Sequence, residues 1–175
     1  MKRVVLAALL GLEAVYGTAL VTSHGVVKAH TEVFGDSSID PQTAKLTSHL
    51  QMDDTIESIH GSVDVDIMAL KSDNHTRDEH MVEALQSKKF PVATYRFTSI
   101  KKQTHGYLIQ GVLHFHGVDR PLSLQAKIEN GQDSVHILAK GHIKLSQYKV
   151  KPIKLLFLEV RDRIDLKTDV VFKKR

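Results

Sequence analysis

From His24 onward, apolar and polar side chains alternate along the chain with a period of two. That is the spacing of half-buried strands, whose successive side chains point to opposite faces. Val27, Ala29, Thr31 and Val33 share one parity, with Lys28, His30 and Glu32 between them. The turn signal Asp40-Pro41 precedes a second run, Leu46, Ser48, Leu50 and Met52. Val63, Val65 and Ile67 alternate with Asp64 and Asp66, which places the two carboxylates on a solvent face. Tyr95, Phe97 and Ser99 form the next run, and Tyr107 to Phe115 reads as a strand interrupted by Gly111. A glycine inside a strand marks a bulge, a bend or a close approach of another group. Pro121 opens Leu122, Leu124, Ala126 and Ile128; Asn130-Gly131 is a hairpin signal; and Val135, Ile137 and Ala139 follow it. Lys140 to Tyr148 continues that strand or begins another. Ile164, Leu166, Thr168, Val170 and Phe172 close the pattern, with Asp165, Lys167, Asp169 and Val171 on the other face.

One segment departs from this rhythm. Thr76-Arg77-Asp78-Glu79 has the form of a capping box, Thr76 as N-cap and Glu79 three residues on, and Met81, Val82 and Leu85 follow at helical spacing. A short helix over about 77–86 is predicted, ending before Phe90-Pro91. Seven to nine antiparallel strands with one inserted helix and no internal repeat fit a closed barrel or a sandwich.

The N-terminus carries a different pattern. Met1-Lys2-Arg3 precedes Val4 to Leu12, an apolar run too short to cross a bilayer, and Ala14 to Val21 is again small and apolar around Glu13. This matches a secretory leader over about 1–19, with cleavage sites after Gly17 or Ala19, and predicts a periplasmic or secreted protein. The remaining 20–175 then forms a single domain, as a length of 175 residues allows. Cysteine is absent, which excludes disulfides, thiolate zinc sites, iron–sulfur clusters and a cysteine nucleophile. The net charge of +4 comes from 24 basic and 20 acidic residues mixed along the chain, too even a distribution to mark a nucleic-acid binder.

Chemistry, if present, would draw on the 11 histidines. His114 and His116, two apart on a strand, would share a face, and with His136 or His142 could offer three nitrogen ligands to zinc or copper. Yet no carboxylate lies within the triplet to orient an imidazole. Arg77, Asp78 and His80 could form an acid–base trio, but neighbours on a helix diverge in direction, and Asp78 and Glu79 serve the helix N-terminus. Asn74-His75-Thr76 reads as a capping loop. No phosphate loop, nucleophile elbow or metalloprotease motif occurs.

Arg77-Asp78-Glu79-His80-Met81, then Lys89-Phe90-Pro91 and the aromatic strand Tyr95-Arg96-Phe97, resemble the YceI-like family of lipid- and polyisoprenoid-binding proteins. Gly111 to Leu122, with its His-Gly-Val turn and Pro-led strand, resembles the same family, as do Val63 to Asn74, Leu145 to Tyr148 and Ile164 to Phe172. The likeness spans about 63–172; Ser23 to Met52 departs from the family's opening strands. The resemblance implies an extended antiparallel lipocalin-like β-barrel, mainly β, holding an amphiphilic long-chain lipid such as a polyisoprenoid. It implies no enzyme activity and no cofactor other than that bound lipid. Combined with the alternation, it gives as ligand-lining candidates Val63, Val65, Ile67, Tyr95, Phe97, Leu113, Phe115, Leu124, Ala126, Ile128, Ile164, Leu166 and Val170. The expected partner is a hydrophobic small molecule, with membrane contact only transient during exchange; a homodimer stays open. The rival readings are a periplasmic metal-binding or redox-associated protein using surface histidines, and an unrecognised hydrolase or isomerase.

Overall fold

A computed structural model describes residues 17–33, 37–151, 154–155 and 158–175; the expected leader lies, up to residue 16, outside them. Eight long strands carry the fold: β1 (Thr18–Val33), β2 (Leu46–Met52), β3 (His60–Asp66), β4 (Val92–Gln103), β5 (Gly106–Phe115), β6 (Val118–Asn130), β7 (Ser134–Lys144) and β8 (Arg163–Lys174). Each pairs antiparallel with the next, and β8 returns to β1 over Leu20↔Lys174 to His30↔Asp165, so the sheet closes into a barrel. The region 23–52, doubtful from sequence, therefore supplies two staves of the wall.

Parity decides what fills the barrel. Leu50, Met52, Ala93, Tyr95, Ile109, Leu113, Leu122, Leu124, Ile137, Ala139, Ile164, Val170 and Phe172 are all buried, while the intervening charged residues face out. Asp64 sits on the outer face as expected, accepting a hydrogen bond from Thr94 Oγ1 at 2.6 Å.

The sequence pattern and the structure differ at several points. A register shift between Phe97 and Ser99 inserts one residue into β4, so Ile100 rather than Ser99 resumes the inward row. Ser99 instead donates to Gln110 Oε1. Lys140 to Tyr148 does not stay extended: β7 ends at Lys144 and Leu145–Tyr148 is a 3-10 turn. The helix α1 (His75–Ala84) starts earlier than the pattern predicted, with Asn74 as N-cap, its side chain accepting from the Arg77 backbone N–H. Asn74 stands three residues before that N–H, so it wins the cap from Thr76.

The β1–β2 seam is incomplete. The ladder holds from Thr18↔Met52 to Leu20↔Leu50 and then opens. Ser48 Oγ bridges the start of the gap, accepting from Thr22 N at 2.7 Å and donating to Leu20 O at 2.8 Å. Beyond it a strap, Ile39 to Thr43, lies along β1 instead, with Thr31↔Ile39 and Val27↔Thr43 paired. His30 Nδ1 lies 2.7 Å from Asp40 Oδ1, fastening the strap to the wall.

Candidate functional site

The two ends of the barrel are built differently. At the end where β1 begins and β8 ends, the 3-10 turn Ile56–Ser58 inserts Ile56 and Ile59, which join Leu20, Leu50, Met52, Ile100, Ile128, Val135 and Phe172 in a packed floor. At the opposite end the wall is continued by the strap, by Ile67 to Leu70, by α1 and by Leu145 and Val160 beyond β7. Between this end and the floor lies a cavity of about 230 Å³. Its lining is almost wholly apolar, so transferring hydrocarbon from water into it is favourable by about 0.8 kcal/mol per CH₂.

Of the residues expected from sequence, Val63, Val65, Ile67, Tyr95, Phe97, Leu113, Phe115, Leu124, Ile164, Leu166 and Val170 line this cavity. Ala126 and Ile128 do not. They point inward and are buried nearer the floor end of β6, although their β7 partners Ala139 and Ile137 still reach the lining. The reading by parity omitted other wall residues: Val27, Ala29 and Thr31 of β1, Ile39 and Pro41 of the strap, Leu46, Ile109, Ala139 and Ile143. Parity was sufficient to find those on the strands. The strap's contribution depends on long-range pairing and has no local signal.

Tyr95 is a buried polar side chain of the chamber wall. Its hydroxyl donates to Leu122 O at 2.9 Å, and its ring meets Phe97 edge-on with centroids 5.3 Å apart. Burial raises its phenol pKa well above the ordinary value near 10. Gly111, read from sequence as a bulge, bend or close approach, is the third: an added Cβ there would lie 2.5 Å from Tyr95 Cζ.

Helix α1 brings polar groups to the cavity margin. Arg77, Asp78 and His80 all contribute to the lining, together with Met81, Leu85 and Ser72. Lining one cavity does not make them a trio: Arg77 and Asp78 bond to different partners, and among the described residues no hydrogen bond or ion pair joins Arg77, Asp78 and His80 to one another. Asp78 is buried, accepting from the Ser72 backbone N–H at 2.8 Å, and pins the loop ahead of the helix. Arg77 Nη1 is 3.0 Å from Asp73 Oδ1. His80 is exposed and yet lines the cavity, so the cavity reaches the surface beside α1.

The histidines grouped by sequence are held apart. His116 is not a strand residue: with Gly117 it forms the two-residue β5–β6 turn, both at positive φ (51° and 73°). It is buried, its Nδ1 donates to Tyr148 O at 3.0 Å, and its ring packs on Phe90 with centroids 4.5 Å apart. His114 points outward to Asp119 at 2.7 Å, a carboxylate the triplet itself did not contain. The registers place His114 and His136 beside Asp119 and Glu129 of β6, about 33 Å apart along the strand, and His142 and His136 beside Asp165 and Val171 of β8, about 20 Å apart, at about 3.3 Å per residue. His136 pairs with Asp169 at 2.8 Å.

An eight-stranded antiparallel barrel with a packed floor and an apolar chamber opening beside one helix defines the class: a barrel suited to enclosing a hydrophobic molecule. The YceI-like domain model matches residues 19–172, and the chain belongs to that family. It is 31% identical over 103 residues to the UPF0312 protein YE1254 of Yersinia enterocolitica, covering 55% of this chain and 52% of that protein. It is 39% identical over 87 residues to the protein YceI of Escherichia coli O6:H1, covering 45% and 46%. The matched stretch thus spans about half the length of these relatives. Among solved structures, BcnA of Burkholderia cenocepacia superposes with a TM-score of 0.72 at 14% identity, over 84% of this chain and 95% of that one. A polyisoprenoid binding domain from Saccharophagus degradans superposes with a TM-score of 0.65 at 11% identity, over 92% and 99%. These superpositions show the shared barrel.

Proposed function

We propose that the protein is a non-catalytic carrier that holds an amphiphilic long-chain lipid, polyisoprenoid-like in its chain, with the tail in the chamber and the polar end beside Arg77, Asp78 and His80. The observation that carries this reading is the chamber itself. Its lining is apolar along the strands, while its charged groups, Arg77, Asp78 and His80, all lie on α1. The polyisoprenoid binding described for the Saccharophagus domain supports the same ligand class. The apolar run after Met1-Lys2-Arg3 supports export to the periplasm or the medium, with the leader removed after Gly17. That site leaves Thr18 and Ala19 in place, and Ala19 exchanges both backbone hydrogen bonds with Arg175.

Native mass spectrometry of the protein purified from its host tests both parts. The expected result is a mature chain beginning at Thr18 and carrying one lipid-sized mass that organic extraction removes. A wild-type protein that neither retains a long-chain lipid nor takes up solanesol after delipidation would end the carrier reading, and an intact Met1 on a cytoplasmic product would end export.

A further inference from the structure

The described surface exposes only two large hydrophobic side chains, Met68 and Val92, at 38% and 42%. They are neighbours. Asp66 pairs with Val92, and the next residue, Ile67, donates its N–H to Pro91 O at 2.8 Å, which sets the Ile67–Leu70 turn against the start of β4. Each exposed residue also stands next in sequence to one that lines the chamber, Ile67 beside Met68 and Ala93 beside Val92. The apolar patch is therefore the outer face of the same rim whose inner face lines the chamber. Scattered exposed hydrophobic residues are ordinary on a protein surface, whereas a pair joined to the rim of an apolar cavity is not scattered.

Lysines surround the patch. Lys45 is held against it, its carbonyl accepting from Asp66 N at 3.0 Å; Lys71 follows the Ile67–Leu70 turn; and Lys88 and Lys89 precede Pro91. All four are exposed, and none has a carboxylate partner among the described residues. The nearby acids are engaged otherwise: Asp64 with Thr94 and His49, Asp66 with the Ala69 N–H, Asp73 with Arg77. Lys89 Nζ lies over the Phe90 ring, 5.1 Å from its centroid, and none of the four ammonium groups is neutralised by a carboxylate among the described residues, so an apolar centre ringed by positive charge is complementary to acyl chains beneath anionic headgroups.

We propose that this rim docks the barrel on an anionic bilayer, bringing the chamber mouth to the lipid from which its ligand is loaded. The inference rests on the carrier reading, and the contact it describes is transient, because two apolar side chains and four lysines give far less hold than an inserted helix.

The test uses the full chain with two variants, Met68→Asp/Val92→Asp and Lys45→Glu/Lys71→Glu/Lys88→Glu/Lys89→Glu. All six positions are exposed or on the rim, and unchanged thermal melting checks that both variants fold. Vesicles of phosphatidylethanolamine with phosphatidylglycerol are compared with vesicles of phosphatidylcholine alone, each carrying solanesol as the probe. Wild type is expected to cosediment with the anionic vesicles in a salt-sensitive manner and to extract solanesol from them. Both variants are expected to lose at least about tenfold in vesicle binding and in extraction rate, while filling to the same extent as wild type when solanesol is supplied in detergent. Equal binding to both vesicle types, or variants that extract as fast as wild type, would overturn the docking surface and favour a partner protein as the lipid source. Failure of wild type to take up solanesol even from detergent would instead overturn the carrier reading.

Discussion

The ring of Tyr95 occupies the space that a side chain at Gly111 would need: a Cβ there would stand 2.7 Å from the phenol oxygen and 2.5 Å from Arg96 O. The pair sits beside the β4 bulge, and Tyr95 reaches over β5 to bond Leu122 on β6, tying three consecutive staves together at the chamber wall.

Gly111→Ala is accordingly expected to destabilise the barrel by about 1–3 kcal/mol, the usual range for overpacking a filled site. Tyr95→Leu in the same chain should recover part of that loss, because the shorter side chain removes one of the two clashes but not the one with Arg96 O. Urea denaturation of the two single variants and the double variant gives the coupling. Strict additivity would show that the two positions do not compete for space.

The buried phenols make stability sensitive to alkali. Tyr95 and Tyr148 both have their pKa raised by desolvation, with the Arg120 charge partly opposing the shift at Tyr148. In the unfolded chain they ionise near the ordinary value, so the unfolded state loses protons first. Stability should hold below about pH 10 and decline as pH rises beyond it, towards the raised folded values. Tyr95→Phe should flatten that decline. Denaturation midpoints taken between about pH 8 and about pH 11 measure it, and an identical slope in the variant would place the effect elsewhere.

Two inward alanines should respond in opposite ways to enlargement. Ala93 borders the chamber and Ala126 belongs to the floor. Ala126→Phe is expected to lower stability by about 1–3 kcal/mol while leaving solanesol uptake intact in whatever fraction stays folded. Ala93→Phe should leave the melting temperature of the delipidated protein nearly unchanged and reduce uptake severely. The reverse pattern would mean that chamber and floor have been assigned the wrong way round.

The helix start offers a simpler check. Asn74→Ala removes the side chain that accepts from Arg77 N and should cost about 1 kcal/mol. Thr76→Ala, in the first turn of α1, should stay within about 0.5 kcal/mol. Thermal melts of the two variants distinguish the caps directly.

Most of the wall was legible in the chain because a strand's side-chain period is fixed by the pleat at two. Once Val63, Val65 and Ile67 alternate with aspartates, or Leu122, Leu124, Ala126 and Ile128 with polar residues, the inward row follows from local order alone. The existence of one helix after β3 was equally local, and its starting residue was misplaced only because Asn74 and Thr76 are both competent caps. What parity cannot encode is depth along the barrel. Leu124 and Ile128 have the same chemistry and the same facing, yet one lines the chamber and the other the floor. The difference comes from Ile56 and Ile59, far away in sequence, being folded into one end and not the other. The β4 bulge, the strap of Ile39 and Pro41 across the open seam, and the burial of His116 under Phe90 belong to the same category. Each is decided by contacts between residues distant in the chain. The alternation therefore determined which side of the wall each residue occupies, and only the closure of eight strands around an unevenly filled interior decided where a cavity remains.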